Sequence, residues 1–454
     1  MSFPPGPSTP ASLQMLEWVY RPAEFMERCA RRYGDPFTLR LSNFGGPDAA
    51  PEVVLVSDPA VMKAIFTGGA DFARVRESRI VMSPVFGQRS ILLIDGDEHM
   101  RTRKLMLPAF HGERMKRYGE LMEEIANAEI DSWPIGERFA LQPRMQRITL
   151  EVILRAVFGL EEGPARDEVR ARIEKLLAAV ANPSGELVMG LPERIKDTAL
   201  LLFRRTLDAA DEVLHREIAR RREDPRLEER EDVLSMLLLA RYEDGRGMTD
   251  EELRDQLMAL LLAGHETTAT ALSWAMELLF RNPAAQRRLE EECAADADDA
   301  YLDAVMQEAM RLYPPVPVID RTLAAPFEVD GYELPAGTTV APCIYLAHRR
   351  EDVYPDPTAF RPERFLDSPP ETYSWIPFGG GVRRCLGASF ATYEMRIVLR
   401  ALLRRATLRP ASDRPERIHR RAIVIAPRHG TRAVLHGRRP AADERPAREL
   451  ASVS

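Results

Sequence analysis

One helix constrains this chain more than any other feature. Thr249-Asp-Glu-Glu252 sets a hydroxyl three residues before a carboxylate, the reciprocal cap that opens a helix. The helical pattern then runs to Arg281-Asn282-Pro283. At roughly 1.5 Å per residue it is nearly 50 Å long, enough to cross a whole domain. Its middle, LMALLLAGHETTATALSWAM, is apolar except at Ala263-Gly264-His265-Glu266-Thr267-Thr268. Glycine and adjacent hydroxyls weaken the helical ladder, and threonine back-bonding bends it. A buried acid there is costly unless it is paired or used. Two readings stand: a kink satisfied by internal polar contacts, or a proton relay beside a small-residue groove.

The flanking sequence places that helix in a mainly α protein. From about Glu98 to Leu312 the pattern is almost wholly helical, broken near Pro134, Pro164, Pro183, Pro225 and Pro283. Thr38–Leu41 and Val53–Val56 read as short strands, and Asp58-Pro59 as a helix start. From Val318 to Val340 the period turns strand-like, with turns at Asp330-Gly331 and Pro335-Ala336-Gly337. An irregular Pro-rich stretch, Tyr354–Pro377, precedes a last helix that runs to about Arg405. No linker divides the 454 residues, so one domain is expected. Its ends, about 1–15 and 437–454, read as poorly ordered. A net charge of −7 gives no reason to expect nucleic acid as a partner. No run of 18 apolar residues and no secretory leader is present, so neither a membrane anchor nor export is expected. Cys29, Cys293, Cys343 and Cys385 are scattered, without zinc-type spacing or a disulfide framework. A reducing cytoplasm is the expected compartment.

Cys385 stands apart. It lies in FGGGVRRCLG, Phe378 to Gly387, between a glycine run and the last helix. A helix start with Arg383 and Arg384 beside it is expected to lower a thiol pKa and hold a thiolate. Such a group is a nucleophile or a metal ligand, or simply a buried structural cysteine. No local histidine offers a base, and no companion ligand offers zinc. A lone thiolate suits haem iron, which takes one axial protein ligand and keeps its other face open. The glycines would let the backbone pass close to a flat macrocycle.

These residues resemble the cytochrome P-450 superfamily, in its soluble bacterial form. Phe378, Gly381, Arg383, Cys385 and Gly387 match its haem-binding signature. Glu266 and Thr267 match its acid–alcohol pair. Glu308-Ala-Met-Arg311 matches its Glu-x-x-Arg motif, with Arg364 in a Pro-x-x-Phe-like segment, Phe360–Phe365. The motifs stand in the family's order, and the resemblance covers about Phe37 to Leu435. It implies a helix-rich lobe and a smaller β-rich lobe around a buried haem b (iron protoporphyrin IX). Cys385 is then the axial ligand, with Ala263, Gly264, Phe378, Gly379 and Gly387 around the haem. His99, Arg103, Arg321 and Arg383 are implied propionate anchors. Thr267 would hydrogen-bond bound dioxygen, and Glu266 would pass protons toward it. Glu308, Arg311 and Arg364 would hold the irregular stretch behind the cysteine loop.

The resemblance also implies a partner and a pocket. Arg101, Lys104, Arg114, Lys116 and Arg117 cluster against a single local acid, Glu113. They are either a solvated charged face or a landing site for an acidic ferredoxin or flavodoxin with its reductase. Val85, Phe86, Ile91, Leu92, Ala259, Val316, Val318, Ile319, Ile423 and Val424 are implied pocket residues, all apolar, as for a lipophilic substrate. Terpenoids, steroids, fatty acids and macrolide-like molecules all fit. The expected activity is insertion of one oxygen atom from O2, by a cytoplasmic monomer. Two rivals remain: a haem-thiolate enzyme that uses peroxide directly, and a non-catalytic haem-based ligand-binding protein. The Glu266-Thr267 pair counts against both.

Overall fold

The capping box forms as the sequence predicts. In the computed structural model the Thr249 hydroxyl accepts from Glu252 N–H at 3.2 Å, and the Glu252 carboxylate accepts from Thr249 N–H at 2.8 Å. The helix spans Asp250–Arg281 and ends before Pro283, the first residue of the next helix. The structure describes residues 3–41, 52–69, 73–79, 82–110, 114–181, 193–295, 298–367 and 371–440. Pro183, Glu113 and the tail beyond 440 lie outside them.

The central helix is buried on nearly every side. Helices Leu141–Val152, Ala300–Leu312, Ala388–Arg405 and Glu193–Arg222 pack against it. Together they enclose one large apolar core. The Leu141–Val152 helix continues into a π turn, Ile153–Val157. This turn meets the central helix at Gly264, where a Cβ would come 3.3 Å from Ile153 Cδ1.

The β part forms a second lobe with its own cores. Its five-stranded sheet runs in the order Phe37–Arg40, Glu52–Val56, Thr339–Pro342, Arg321–Leu323, Ala73–Arg74. All its pairs are antiparallel except Glu52–Val56 with Thr339–Pro342. A three-stranded sheet joins Arg138–Ala140, Arg432–Arg438 and Ala406–Pro410. The hairpin Ile418–Arg421/Val424–Pro427 packs on the central helix.

The ends correct the sequence expectation. Residues 3–15 are held: Thr38 donates to the Pro4 carbonyl at 2.7 Å, Gln14 donates to Thr9 O at 2.8 Å, and Met15 is buried in the helix Ala11–Tyr20. Gly437 and Arg438 lie within a strand rather than in a tail. Among the described residues no helix is long and apolar enough to cross a membrane.

Removing the central helix's cap tests its share of stability. Thr249→Ala should lower unfolding free energy by about 1 kcal/mol, read as a lower urea midpoint with an unchanged slope.

Candidate functional site

The central helix exposes a short interior face at its polar break. Leu260, Ala263, Gly264 and Thr267 are only half-buried, between fully buried turns. Their spacing, i, i+3, i+4 and i+7, makes one stripe. The Thr267 hydroxyl donates back to the Ala263 carbonyl at 2.6 Å. Glu266 lies beside the stripe, and its carboxylate is paired rather than free. It accepts from Gln142 at 3.2 Å, Gln146 at 2.7 Å and the Arg421 Nε at 3.1 Å. None of these three partners was found by sequence reasoning, because they come from two other elements, the helix Leu141–Val152 and the strand Ile418–Arg421. His265, its neighbour on the helix, brings Nδ1 to 4.0 Å from Glu266 Oε2; burial keeps it neutral, with its pKa lowered to about 4.

The cysteine loop closes on itself: Cys385 N–H donates to the Phe378 carbonyl at 2.9 Å. Phe378 packs edge-on to Trp375. The following helix begins at Ala388 with Gly387 as its N-cap, so Cys385 precedes the helix end instead of capping it. The thiol is correspondingly not depressed. Burial raises its pKa above the ordinary value; the Gly387 N–H, Arg103 and Arg384 oppose that rise without reversing it. The electrostatics of the chain alone thus do not favour the thiolate. Cys385 is nonetheless exposed by area. It is thus accessible at its surface but poorly solvated.

The glycines also act differently from the expectation. At Gly381, with φ +63°, a Cβ would sit 1.9 Å from the Phe66 carbonyl oxygen. At Gly380 it would meet Tyr373 at 2.7 Å, and at Gly379, with φ +66°, Ile319 Cδ1 at 3.1 Å. The run lets the loop press against protein. Gly387 alone has open space beside its Cα.

Positive charge collects near Cys385. Arg321 is lowered to about 9 by burial, with Arg79 and Arg383 adding to the shift. Arg383 is lowered to about 10, chiefly by burial, despite its bond to Asp95 at 2.5 Å. His99 is buried, and desolvation with Arg383 and Arg103 lowers it to about 4. Arg103 is lowered by burial and feels Cys385. Arg79, Arg103, Arg321 and Arg383 thus gather with two carboxylates, Asp95 and Asp320, and Arg384 lies close to Arg103. Guanidiniums outnumber carboxylates in a poorly solvated place, which suits a dicarboxylate. A haem carries two propionates, and its iron takes one thiolate. The residues present therefore fit haem at this site.

Behind the loop, Glu308 and Arg311 are fully buried. Arg311 Nε and Nη2 donate to the two carboxylate oxygens at 2.6 and 2.8 Å. Its Nη1 donates to the carbonyls of His348 at 2.8 Å and Pro357 at 2.7 Å, and Nη2 also to Ala359 at 3.1 Å. Glu308 also accepts from Arg361 N–H at 2.8 Å and Arg364 Nε at 3.2 Å. The structure therefore brings Glu308, Arg311 and Arg364 together. It adds His348, whose Nε2 accepts from Ile376 N–H at 2.9 Å while Nδ1 lies 3.2 Å from the Arg311 carbonyl. Nδ1 must then be the protonated nitrogen. The signal for His348 was weak, a lone histidine in AHRRED.

The pocket residues divide. Val85, Leu92, Val316, Val318 and Ile319 are half-buried. Ile423 is 45% exposed at the hairpin turn. Phe86, Ile91 and Ala259 are instead part of the main core, and Val424 is buried in its strand. Ala259 lies off the stripe, and Leu260 takes the place expected for it. The basic cluster is less one-sided than its local sequence. Lys104 bonds Glu243 at 2.7 Å and Arg117 pairs with Glu231, both acids from distant segments. Arg101, Lys104, Lys116 and Arg117 are exposed and Arg114 is half-buried. Arg103, on the same helix as Arg101 and Lys104, lies near Cys385.

The family model for Cytochrome P450 matches residues 4–432. The chain is a cytochrome P450. It is similar to the putative cytochrome P450 135B1 of Mycobacterium bovis, with 42% identity over 440 residues, 95% of this chain and 91% of that protein. It is also similar to the putative cytochrome P450 137 of Mycobacterium tuberculosis, with 39% identity over 90% of this chain and 84% of that protein. Retinoic acid bound cyanobacterial CYP120A1 superposes with a TM-score of 0.81 at 25% identity, over 96% of this chain and all of that one. The cytochrome P450DA heme domain shares the fold, with a TM-score of 0.84 at 23% identity over 96% and 98% of the two chains. This P450 is therefore a haem-binding oxidoreductase of the monooxygenase class, with the helix-rich and β-rich lobes expected. Its family works with O2, redox partners and lipophilic substrates.

Two outcomes follow from the buried network. Arg311→Ala strips Glu308 of its two-point partner and leaves it only Arg364 and the Arg361 N–H, at a cost on the order of 3–5 kcal/mol; purified variant should carry little haem by absorbance. His348, neutral when folded and lowered to about 3 by burial and Arg311, takes up a proton on unfolding below about pH 6.5. Its folded pKa is depressed, so its contribution is intact above that pH and is lost as pH falls toward 3. The loss runs at about 1.4 kcal/mol per pH unit. His348→Gln should flatten the acid limb of a stability–pH profile by that slope, though it starts from lower stability at pH 7.

Proposed function

We propose that this P450 holds haem b on Cys385 and oxygenates a terpenoid, steroid, fatty-acid or macrolide-like molecule. The observation that carries the reading is an accessible, desolvated Cys385 with Arg103 beside it, in a chain whose central helix offers a half-buried stripe and whose buried guanidiniums outnumber their carboxylates. When bound, haem supplies the activation of dioxygen, one atom entering a C–H or C=C bond and the other leaving as water. The chain's own groups do the rest. Arg103, Arg321 and Arg383 anchor the propionates by charge-assisted bonds, and neutral His99 offers an N–H. Gly387 leaves room beside the ligand sulfur.

Thr267 Oγ1 can leave its bond to the Ala263 carbonyl by rotation about Cα–Cβ and turn to the stripe. Glu266 Oε1 or Oε2 supplies the proton that Thr267 hands on, a role typically worth ~10²–10⁴-fold. Val85, Leu92, Val316, Val318, Ile319 and Ile423 offer an apolar lining. The retinoic acid named for the cyanobacterial relative supports a lipophilic substrate. Arg101, Lys104, Arg114, Lys116 and Arg117 form the docking face for a ferredoxin or flavodoxin, served by a reductase. The reading includes a monomer in the cytoplasm.

The test is the absorption spectrum of reduced protein under carbon monoxide. A strongly red-shifted Soret band that disappears in Cys385→Ser is expected. A band at the same position in wild type and Cys385→Ser would remove Cys385 as the ligand.

A further inference from the structure

The face of the central helix that carries the stripe does not end at Thr267. Two turns on, roughly 10 Å along the axis, it carries Trp274. The Trp274 ring is fully buried and lies flat on Tyr313, with centroids 3.9 Å apart and planes within 9°. Among the described aromatic pairs this is the closest; the next, Trp133 with Phe139, is at 5.2 Å.

Arg349 continues the line. Its guanidinium carbon sits 5.6 Å from the Tyr313 ring centre and 3.6 Å from that of Tyr345. Burial raises both phenols above their ordinary pKa, so both keep their protons. Tyr345 is buried, and its hydroxyl donates to Glu27 Oε1 at 2.6 Å. The Glu27 side chain is 35% exposed on the helix Pro22–Tyr33, so the last group of the series reaches water.

Packing alone asks for less. A buried phenol needs a partner for its hydroxyl, and a backbone carbonyl serves Tyr118 and Tyr354. Tyr345 instead meets a carboxylate, which can take the proton as well as accept the bond. The order of rings also matters. Indole and phenol are the readily oxidised side chains, and here they run from the stripe's face toward the surface with no phenylalanine between them. Trp375, near the cysteine loop, has only phenylalanines as ring neighbours among the described residues, Phe365 and Phe378.

We propose that Trp274, Tyr313 and Tyr345 carry oxidising equivalents from the haem site to Glu27 when no substrate consumes them, which gives the chain a second, peroxidase-type activity. The inference rests on the haem reading of Cys385. A cation stacked on Tyr345 repels positive charge in that ring. The ring therefore gives up its proton together with its electron. The electron passes inward through Tyr313 and Trp274, and the phenolic proton passes to Glu27. A neutral phenoxyl radical and a carboxylic acid replace phenol and carboxylate. A small one-electron donor such as ascorbate then returns the electron and releases its own proton to water, while Glu27 hands its proton back. Two such rounds supply the two electrons and two protons that turn hydrogen peroxide into two waters.

The test uses ferric, substrate-free holoenzyme, mixed with hydrogen peroxide and freeze-quenched for electron paramagnetic resonance. Wild type should show a tyrosyl signal, and Tyr345→Phe should lose it. Glu27→Gln keeps an oxygen beside the phenol to accept the bond but takes no proton. It should lose the signal too, an effect that a packing role would not produce. Soret absorbance should bleach faster under peroxide in both variants, and ascorbate should slow bleaching only in wild type. An equal tyrosyl signal in wild type and Tyr345→Phe, or equal bleaching in all three proteins, overturns the proposal. If Tyr345→Phe loads no haem, Glu27→Gln, at a half-exposed position, carries the test. The carbon monoxide band of the same wild-type preparation separates the two failures. A red-shifted band without a tyrosyl signal strikes this route alone, whereas an unshifted band strikes the haem reading beneath it.

Discussion

The fully buried pair of Glu308 and Arg311 is the contact on which the rest depends. A guanidinium removed from water survives only if its donors are satisfied. Arg311 spends them on Glu308 and on the carbonyls of His348, Pro357 and Ala359. Those carbonyls belong to a segment with little regular structure, whose own backbone hydrogen bonds are short-range turns. The helix Ala300–Leu312 ties those turns to the core. Trp375 extends the tie by donating to the Gln307 carbonyl at 3.1 Å, and His348 by receiving Ile376 N–H. Three residues on from Trp375, Phe378 accepts from Cys385. The position of the sulfur is thus traceable, bond by bond, to one ion pair.

The same logic, with the sign reversed, governs the opposite edge. Arg79, Arg103, Arg321 and Arg383 are left with too few carboxylates, and burial with mutual repulsion lowers Arg321 and Arg383. A folded chain tolerates such an arrangement where binding relieves it. His99 stays neutral among them, which spares the edge a fifth charge while keeping an N–H to donate.

Much of this was legible in the sequence because it is local. The capping box, the i,i+3 pair Glu308–Arg311, the half-exposed stripe at Ala263 to Thr267 and the short strands all follow from spacing along one element. What escaped involves chain segments far apart. Arg421, Gln142 and Gln146 reach Glu266 from two other elements, and nothing in their own neighbourhoods marks them. Glu243 and Glu231 neutralise Lys104 and Arg117 from segments more than a hundred residues away. The first fifteen residues read as a polar Pro-rich end, yet Thr38 and Gln14 give their carbonyls partners. Ala259 and Leu260 show the limit of a helical pattern. Both are apolar, adjacent residues differ by about 100° around a helix, and only the packed neighbours reveal which of the two faces inward.

Cys385 is the case where local electrostatics pointed the wrong way. A helix start and two arginines favour an anion, but the helix begins later, Arg383 is occupied by Asp95, and burial outweighs what remains. A thiol so placed is a poor free nucleophile, since the reactive form is the thiolate. A metal reverses the balance, because a coordinating thiol is deprotonated outright and its charge is shared with the ion. On the reading proposed above, Cys385 would stay quiet on its own and ionise on ligation, so that haem binding and ionisation of the sulfur would be one event.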